Sequence, residues 1–213
     1  MTITKYIKTL VALGTVALPL AASASLVTDG NFMALSGGDF VTYGAVTTFG
    51  AWTVTQGSID LIGNHWQNPA GSQSVDLAGM SSGQIQQNIN TTSGQWYHLQ
   101  FALSGNGDDS GNTKSVRVGF GNFITDFTFY DPTHNVTDMK WTTVGWDVKA
   151  DGNLTTLSFL DTSYALHGGN VACGAAISDV ALTVVPEPST YIAGALLLLP
   201  FSVSTLRSLR RES

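Results

Sequence analysis

The chain has 213 residues, of which 11% are charged, and a formal net charge of −6. This acidic balance excludes a basic nucleic-acid-binding face, and the single cysteine, Cys173, excludes an intrachain disulfide or a cysteine-cluster metal site. With 43% hydrophobic residues the chain can build a core, so global disorder is excluded as well.

Residues 1–24 have the pattern of a secretory signal peptide. Lys5 and Lys8 precede a mostly apolar stretch, and Ala22-Ser23-Ala24 is a small-x-small cleavage motif. The pattern predicts export by the Sec machinery, with cleavage between Ala24 and Ser25. An uncleaved anchor or a buried helix is the alternative.

Residues 25–185 form a single predicted β domain. Their thirteen aspartates face four cationic side chains, which gives this segment a net charge of −9. Apolar residues alternate with polar ones at a period of two. The clearest runs are Tyr97/Leu99/Phe101/Leu103, Val116/Val118/Phe120, Phe123/Phe127/Phe129, Val144/Trp146/Val148, Leu157/Phe159 and Val180/Leu182/Val184. About eight to ten short strands in one domain predict an all-β, antiparallel jelly-roll sandwich.

Several motifs of this segment resemble a known family. They are Asp29-Gly30-Asn31-Phe32, Trp52-Thr53-Val54, Ser74-Val75-Asp76-Leu77, Gly94-Gln95-Trp96-Tyr97 and Ile177-Ser178-Asp179-Val180. Together they resemble the choice-of-anchor C family, which is related to galactose-binding-like domains. The resemblance implies an exported, polysaccharide-associated jelly roll without established catalysis. It also implies a structural calcium site, for which Asp179 matches one ligand position while Met33 departs from another.

One loop has the composition of a sugar-binding site. Asn64-His65-Trp66-Gln67-Asn68 combines an aromatic ring with amides and an imidazole, and Asp60 lies just upstream. A pyranose stacks its C–H groups on an aromatic ring while polar neighbours bind its hydroxyls. We therefore predict that Trp66 stacks on a glycan and that the other five residues bind its polar groups. The alternative is that Trp66 belongs to the core.

The other tryptophans and the cysteine have less specific settings. Trp52 and Trp146 are predicted to be core residues, whereas Trp96 and Trp141 are candidates for exposure. Cys173 lies among small apolar residues and is predicted to be a buried, inert thiol.

The segment from Gly105 to Asn112 is rich in oxygen ligands. Asp108, Asp109 and Asn112 could bind calcium, since hard cations take several converging oxygens; Asp179 is a separate calcium candidate, which the family resemblance implies. A solvated hairpin loop is the alternative. No other cofactor is predicted.

The C-terminal segment, 186–213, has three parts in order. Pro186-Glu187-Pro188 comes first, then an uncharged apolar stretch of about 190–206, then Arg207, Arg210 and Arg211. This order resembles the PEP-CTERM sorting signal of Gram-negative bacteria. The resemblance implies a single transmembrane helix held transiently in the inner membrane, processing by an exosortase, and release to the cell surface or extracellular matrix. A plain tail anchor is the alternative.

Taken together, these patterns predict an exported, non-catalytic protein that associates with extracellular polysaccharide. One alternative is an adhesion or matrix protein without a sugar site, which predicts that every tryptophan is buried and that a strand edge or apolar patch is exposed. A glycan-active hydrolase is the other, and it predicts a cleft with a pair of acids, one of raised pKa.

Overall fold

The computed structural model describes residues 24–186, which contain twelve β-strands and one five-residue helix. The strands are β1 (Phe40–Gly44), β2 (Thr48–Phe49), β3 (Trp52–Gln56), β4 (Ser58–Ile62), β5 (Ser74–Asp76), β6 (Gln84–Asn90), β7 (Trp96–Gly105), β8 (Lys114–Phe120), β9 (Phe123–Phe129), β10 (Thr142–Lys149), β11 (Leu154–Asp161) and β12 (Ala175–Val184). Helix α1 (Ser163–His167) lies between β11 and β12.

The strands form two six-stranded antiparallel sheets. Sheet A has the order β1-β4-β5-β12-β7-β10, and sheet B has the order β2-β3-β6-β11-β8-β9. The predicted all-β antiparallel sandwich is thus confirmed. The structure has more strands than predicted because β2 and β5 have only two and three residues, too few for alternation to be recognised.

The core lies between the sheets and follows the predicted alternation. Leu99 and Phe101 of β7 point inward, and the Phe101 ring meets Phe159 of β11 edge to face with ring centres 5.2 Å apart. Trp52 is fully buried and Trp146 packs partly buried against the same core, so both core predictions are confirmed. Burying one such side chain stabilises the fold by about 1.5–3 kcal/mol.

The outer face of sheet A is partly covered. Side chains alternate along a strand, so Leu61 and Val75 enter the core while Asp60, Ile62 and Asp76 point outward. A second hydrophobic cluster forms on this outer face. It consists of Ile62, Trp66, Met139 and Ala176, with Val136 and Trp141 packed against it.

Both predicted targeting segments lie mainly outside the described residues. Ala24, Ser25 and Pro186 are described and exposed, whereas the rest of the signal peptide and of the C-terminal signal lies outside. Between residues 24 and 186, no helix has the length and apolar character needed to cross a membrane.

Candidate functional site

A cavity of about 250 Å³ opens on the outer face of sheet A beside the second hydrophobic cluster. We call it the Phe40 cavity. Its lining includes Phe40, Asp60, His65, Trp66, Asp76, Asn106, Asp108 and Cys173. The strand register explains how residues distant in the chain meet there. Phe40 of β1 pairs with Ile62 of β4, and Asp60 of β4 pairs with Asp76 of β5.

Trp66 is 4% exposed, and its role differs from the predicted one. The ring packs in the second hydrophobic cluster, and the indole N–H donates a 2.8 Å hydrogen bond to the Ser74 hydroxyl. A ring buried in this way has no open face for a sugar, so the prediction that Trp66 stacks on a glycan is wrong. Its physical role is to cover apolar side chains that sheet A would otherwise expose.

Two of the predicted amide side chains have structural partners. The Asn68 amide donates to the Gly63 carbonyl at 2.6 Å, and the Gln67 side-chain oxygen accepts the Met139 backbone N–H at 3.0 Å. These bonds hold the loop in place, and neither residue lines the Phe40 cavity. Asn64 is exposed and lines a neighbouring cavity.

The half-exposed aromatic ring at this cavity belongs to Phe40, which is 47% exposed. It meets the His65 ring edge to face, with centres 5.6 Å apart. No sequence pattern indicates that Phe40 supplies the exposed ring of a cavity. Phe40 begins a strand in which Val41 and Tyr43 are also hydrophobic, and only the register with β4 shows which of them face outward.

His65 links three segments at the cavity. Its Nε2 lies 2.8 Å from an Asp108 carboxylate oxygen, and its Nδ1 lies 3.7 Å from an Asp39 carboxylate oxygen. The hydrogen bond to Asp108 raises the pKa of His65, although partial burial opposes the shift. The imidazole therefore holds the loop after β7 against the loop after β4.

Asp60 and Asp76 form a pair of carboxyl groups on adjacent strands. Burial raises the pKa of Asp60, against the hydrogen bond from the Thr42 hydroxyl. Burial also raises the pKa of Asp76, to about 8. The Asp76 oxygens accept N–H donors from Asn106 at 2.6 Å, Ala78 at 2.9 Å and Gly174 at 3.0 Å. Asp76 therefore lies buried beneath the cavity surface, where its hydrogen bonds hold the backbone near Ala78 and Gly174 and the side chain of Asn106 in place.

The predicted calcium residues do not converge. Asp109 accepts a 2.6 Å bond from the ammonium of buried Lys114, which also donates to the Cys173 carbonyl. Asn112 donates to the same Asp109. Asp108 contacts His65, and Asp179 accepts from the Ser72 hydroxyl. Across residues 24–186 no three His, Cys, Asp or Glu side chains are grouped to hold a metal. In this structure the loop is held by a lysine ion pair, and calcium binding there stays a prediction.

The remaining predictions concern Cys173, Trp96 and Trp141. Cys173 is buried and unpaired, and burial raises its pKa to about 11, so the predicted inert thiol is confirmed. Trp96 is 49% exposed on the outer face of sheet A, as predicted. Trp141 is partly buried, and its indole N–H donates to the Gln67 carbonyl at 2.8 Å.

Fold and site together define a two-sheet β-sandwich module with a polar, aromatic-walled surface cavity. The chain belongs to the family described as "Protein of unknown function (DUF642)", whose model matches residues 25–183. A curated relative is halomucin of Haloquadratum walsbyi, 29% identical over 143 residues. That match covers 67% of this chain but spans only about 1% of halomucin.

Among solved structures, the chain is similar to a family 35 carbohydrate-binding module from Clostridium thermocellum. The identity is 14% and the TM-score is 0.41, over 69% of this chain and 93% of the module. A family 35 module from Paenibacillus barcinonensis gives 17% identity and a TM-score of 0.42, over 69% and 99% of the two chains.

Proposed function

We propose that this protein is a non-catalytic polysaccharide-binding module whose glycan ligand occupies the Phe40 cavity. One observation carries the proposal. An open cavity of about 250 Å³ places the half-exposed Phe40 ring beside the carboxyl groups of Asp60 and Asp108 and the imidazole of His65. A sugar ring needs both an apolar surface for its C–H groups and hydrogen-bond partners for its hydroxyls.

The charges at the cavity favour a neutral glycan. Asp39, Asp60 and Asp108 lie in or beside it, and the imidazole of His65, whose pKa is raised, contacts two of them. Carboxylates accept hydrogen bonds from hydroxyl groups, whereas they repel the carboxylates of an acidic sugar. We therefore expect neutral sugars to bind and uronic acids to be rejected.

The location belongs to the same proposal. The patterns of residues 1–24 and 186–213 support Sec export, exosortase processing and delivery to the cell surface or matrix of a Gram-negative bacterium. The choice-of-anchor C resemblance supports the same location. Transient insertion of the C-terminal helix into the inner membrane is its anchoring step.

Two observations bear on the alternative functions. The edge strand β9 exposes Ile124 to 64% and also Phe123, which favours adhesion through a strand edge, but the exposure of Trp96 does not fit that alternative. The Asp60–Asp76 pair includes one raised pKa near 8, which a hydrolase would need. Asp76 has no exposed surface, however, so it cannot touch a substrate.

A glycan panel with matched variants tests the proposal. Neutral and acidic polysaccharides are offered to the purified protein, to Phe40→Ala and to Phe123→Ala, which removes a strand phenylalanine of similar exposure from the other sheet. We expect saturable binding of neutral glycans that Phe40→Ala weakens by at least about tenfold, ~1.4 kcal/mol, and Phe123→Ala leaves unchanged. Equal losses in both variants, or no glycan binding at all, would contradict it. Release of reducing sugar would favour the hydrolase.

A further inference from the structure

A second cavity, of about 390 Å³, lies next to the Phe40 cavity. It is lined by Met33, Leu35, Gly38, Asn64, Gly71 and Ser72, among others, and none of its lining side chains is charged. Met33 and Leu35 are exposed apolar side chains, while Asn64 and Ser72 are polar. Such a mixture suits a neutral ligand with apolar faces and hydroxyl groups.

A thin wall separates the two cavities. The backbone N–H groups of Gly63, Asn64 and His65 all point to the Asp39 carbonyl, at 3.1, 3.3 and 3.2 Å. Residues one or two positions apart in these two segments line different cavities. Gly38 lines the second cavity and Phe40 the first, and likewise Asn64 lines the second and His65 the first. Residues two apart in a chain are at most about 7 Å apart, a distance that neighbouring sugars of one glycan can bridge.

The second cavity has a rigid inner wall. The buried Gln73 amide donates to the Phe32 carbonyl at 2.8 Å and to the Leu35 carbonyl at 2.6 Å, and its oxygen accepts the Gly37 N–H at 2.7 Å. Both N–H donors of the Gln73 amide and one of the two lone pairs on its oxygen are thus used to hold the loop before β1. The inner wall of the second cavity is therefore formed before any ligand arrives, which lowers the entropic cost of binding.

We propose that the two cavities are adjacent subsites for consecutive sugars of one neutral glycan chain, which crosses the wall at Asn64. The ligand class is then an oligomeric segment of a neutral polysaccharide and not a single sugar. This inference rests on the proposed function, because it takes the Phe40 cavity as the first subsite.

Two glycines of the second cavity provide a selective way to block it. A Cβ atom on Gly38 or Gly71 would meet no atom within 4 Å, so a side chain at either position has free space around it. Gly38 has a φ of +58°, in the left-handed region that asparagine tolerates better than most residues. Because Gly38 lines the second cavity, Gly38→Asn is expected to narrow it at a small cost in stability. Gly94→Asn is a matched control, with φ +81° and a single neighbouring atom at 4.0 Å, from the Lys149 side chain.

The experiment compares gluco-, galacto- and manno-oligosaccharides of one to six units by calorimetry. The proteins are the full chain, Gly38→Asn, Gly94→Asn and Phe40→Ala. We expect affinity for the bound series to rise at least about tenfold from the single sugar to the short oligomers. Gly38→Asn is expected to remove that gain while retaining single-sugar binding, and Gly94→Asn to behave as the unchanged protein.

The outcomes separate the two proposals. If affinity does not depend on length, or if Gly38→Asn matches Gly94→Asn, the second subsite is wrong while the Phe40 cavity stands. If no series binds, or if Phe40→Ala binds as well as the unchanged protein, the proposed function itself is wrong. Thermal unfolding of each variant shows whether a loss reflects the fold instead.

Discussion

The outer faces of the two sheets differ, although both are built by the same alternation. On sheet B no described loop covers the row Thr53, Gln86, Ser158 and Gly119, which lie side by side across four strands, and the exposed Ile124 of the edge strand continues that row beside Gly119. On sheet A the loops after β4 and before β10 fold back over the strands, and Trp66 and Met139 cover Ile62 and Ala176. Both described cavities flank the loop after β4. The comparison shows that the site depends on returning loops, because alternation alone leaves a flat, solvated sheet.

Removing the cover of sheet A is expected to have the largest effect. Trp66→Ala leaves a void in the second hydrophobic cluster and removes the indole hydrogen bond to the Ser74 hydroxyl, which keeps its bond to Asn68, and should lower the free energy of unfolding by about 3–5 kcal/mol. Trp96→Ala, on the open part of the same face, should cost less than about 1 kcal/mol. Urea unfolding measures both. If Trp66→Ala were as stable as Trp96→Ala, the claim that the Trp66 ring stabilises the fold by burying apolar side chains of sheet A would be wrong.

The buried carboxyl group behind the cavity should give sheet A its own pH dependence. Unfolded Asp76 loses its proton near its ordinary pKa of 3.8, whereas the folded group keeps it until about 8. Between these values the folded state binds more protons, so stability falls as pH rises, on the order of a few kcal/mol in total. Asp76→Asn should reduce the fall of the free energy of unfolding with pH, which urea unfolding measured between about pH 4 and 8 would show.

The matched aspartate on sheet B should behave in the opposite way. The Arg117 guanidinium lowers the pKa of Asp126, with which it makes two hydrogen bonds. The stabilisation that the Asp126–Arg117 ion pair gives the folded state is therefore present at neutral pH and is lost as pH falls through the folded-state pKa of Asp126. Asp126→Asn should leave the slope between about pH 4 and 8 unchanged. A flattened slope in this variant would contradict the assignment to Asp76.

The smallest effect is expected on the open face of sheet B. Gln86→Ala removes one half-exposed amide from the outer face of sheet B and should change stability by no more than about 0.5 kcal/mol. Its glycan affinity should equal that of the unchanged protein in the same calorimetric assay. A large loss of affinity would move the binding surface from sheet A to sheet B.

The fold could be predicted where the information is local. The alternation in β7, β8 and β10 shows directly which side chains face the core, and these strands are where the sequence places them. The site was harder to predict because it depends on distant partners. Asp60 and His65 do line one cavity, but Trp66 faces inward because Met139 and Ala176 complete a cluster with it. Asp76 and Asn106 reach the cavity through strand register and a later loop, which no local pattern reveals.

The central claim is that the glycan binds on the outer face of sheet A, and an NMR titration tests it most directly. A neutral oligosaccharide is added to the isotope-labelled protein while backbone and side-chain resonances are followed. We predict that shifts concentrate at residues 38–40, 63–65 and 106–108, with Phe40 and His65 ring protons among the largest, and that Gln86 and Ser158 stay unchanged. Shifts concentrated on sheet B, with residues 38–40 and 63–65 unchanged, would contradict the claim.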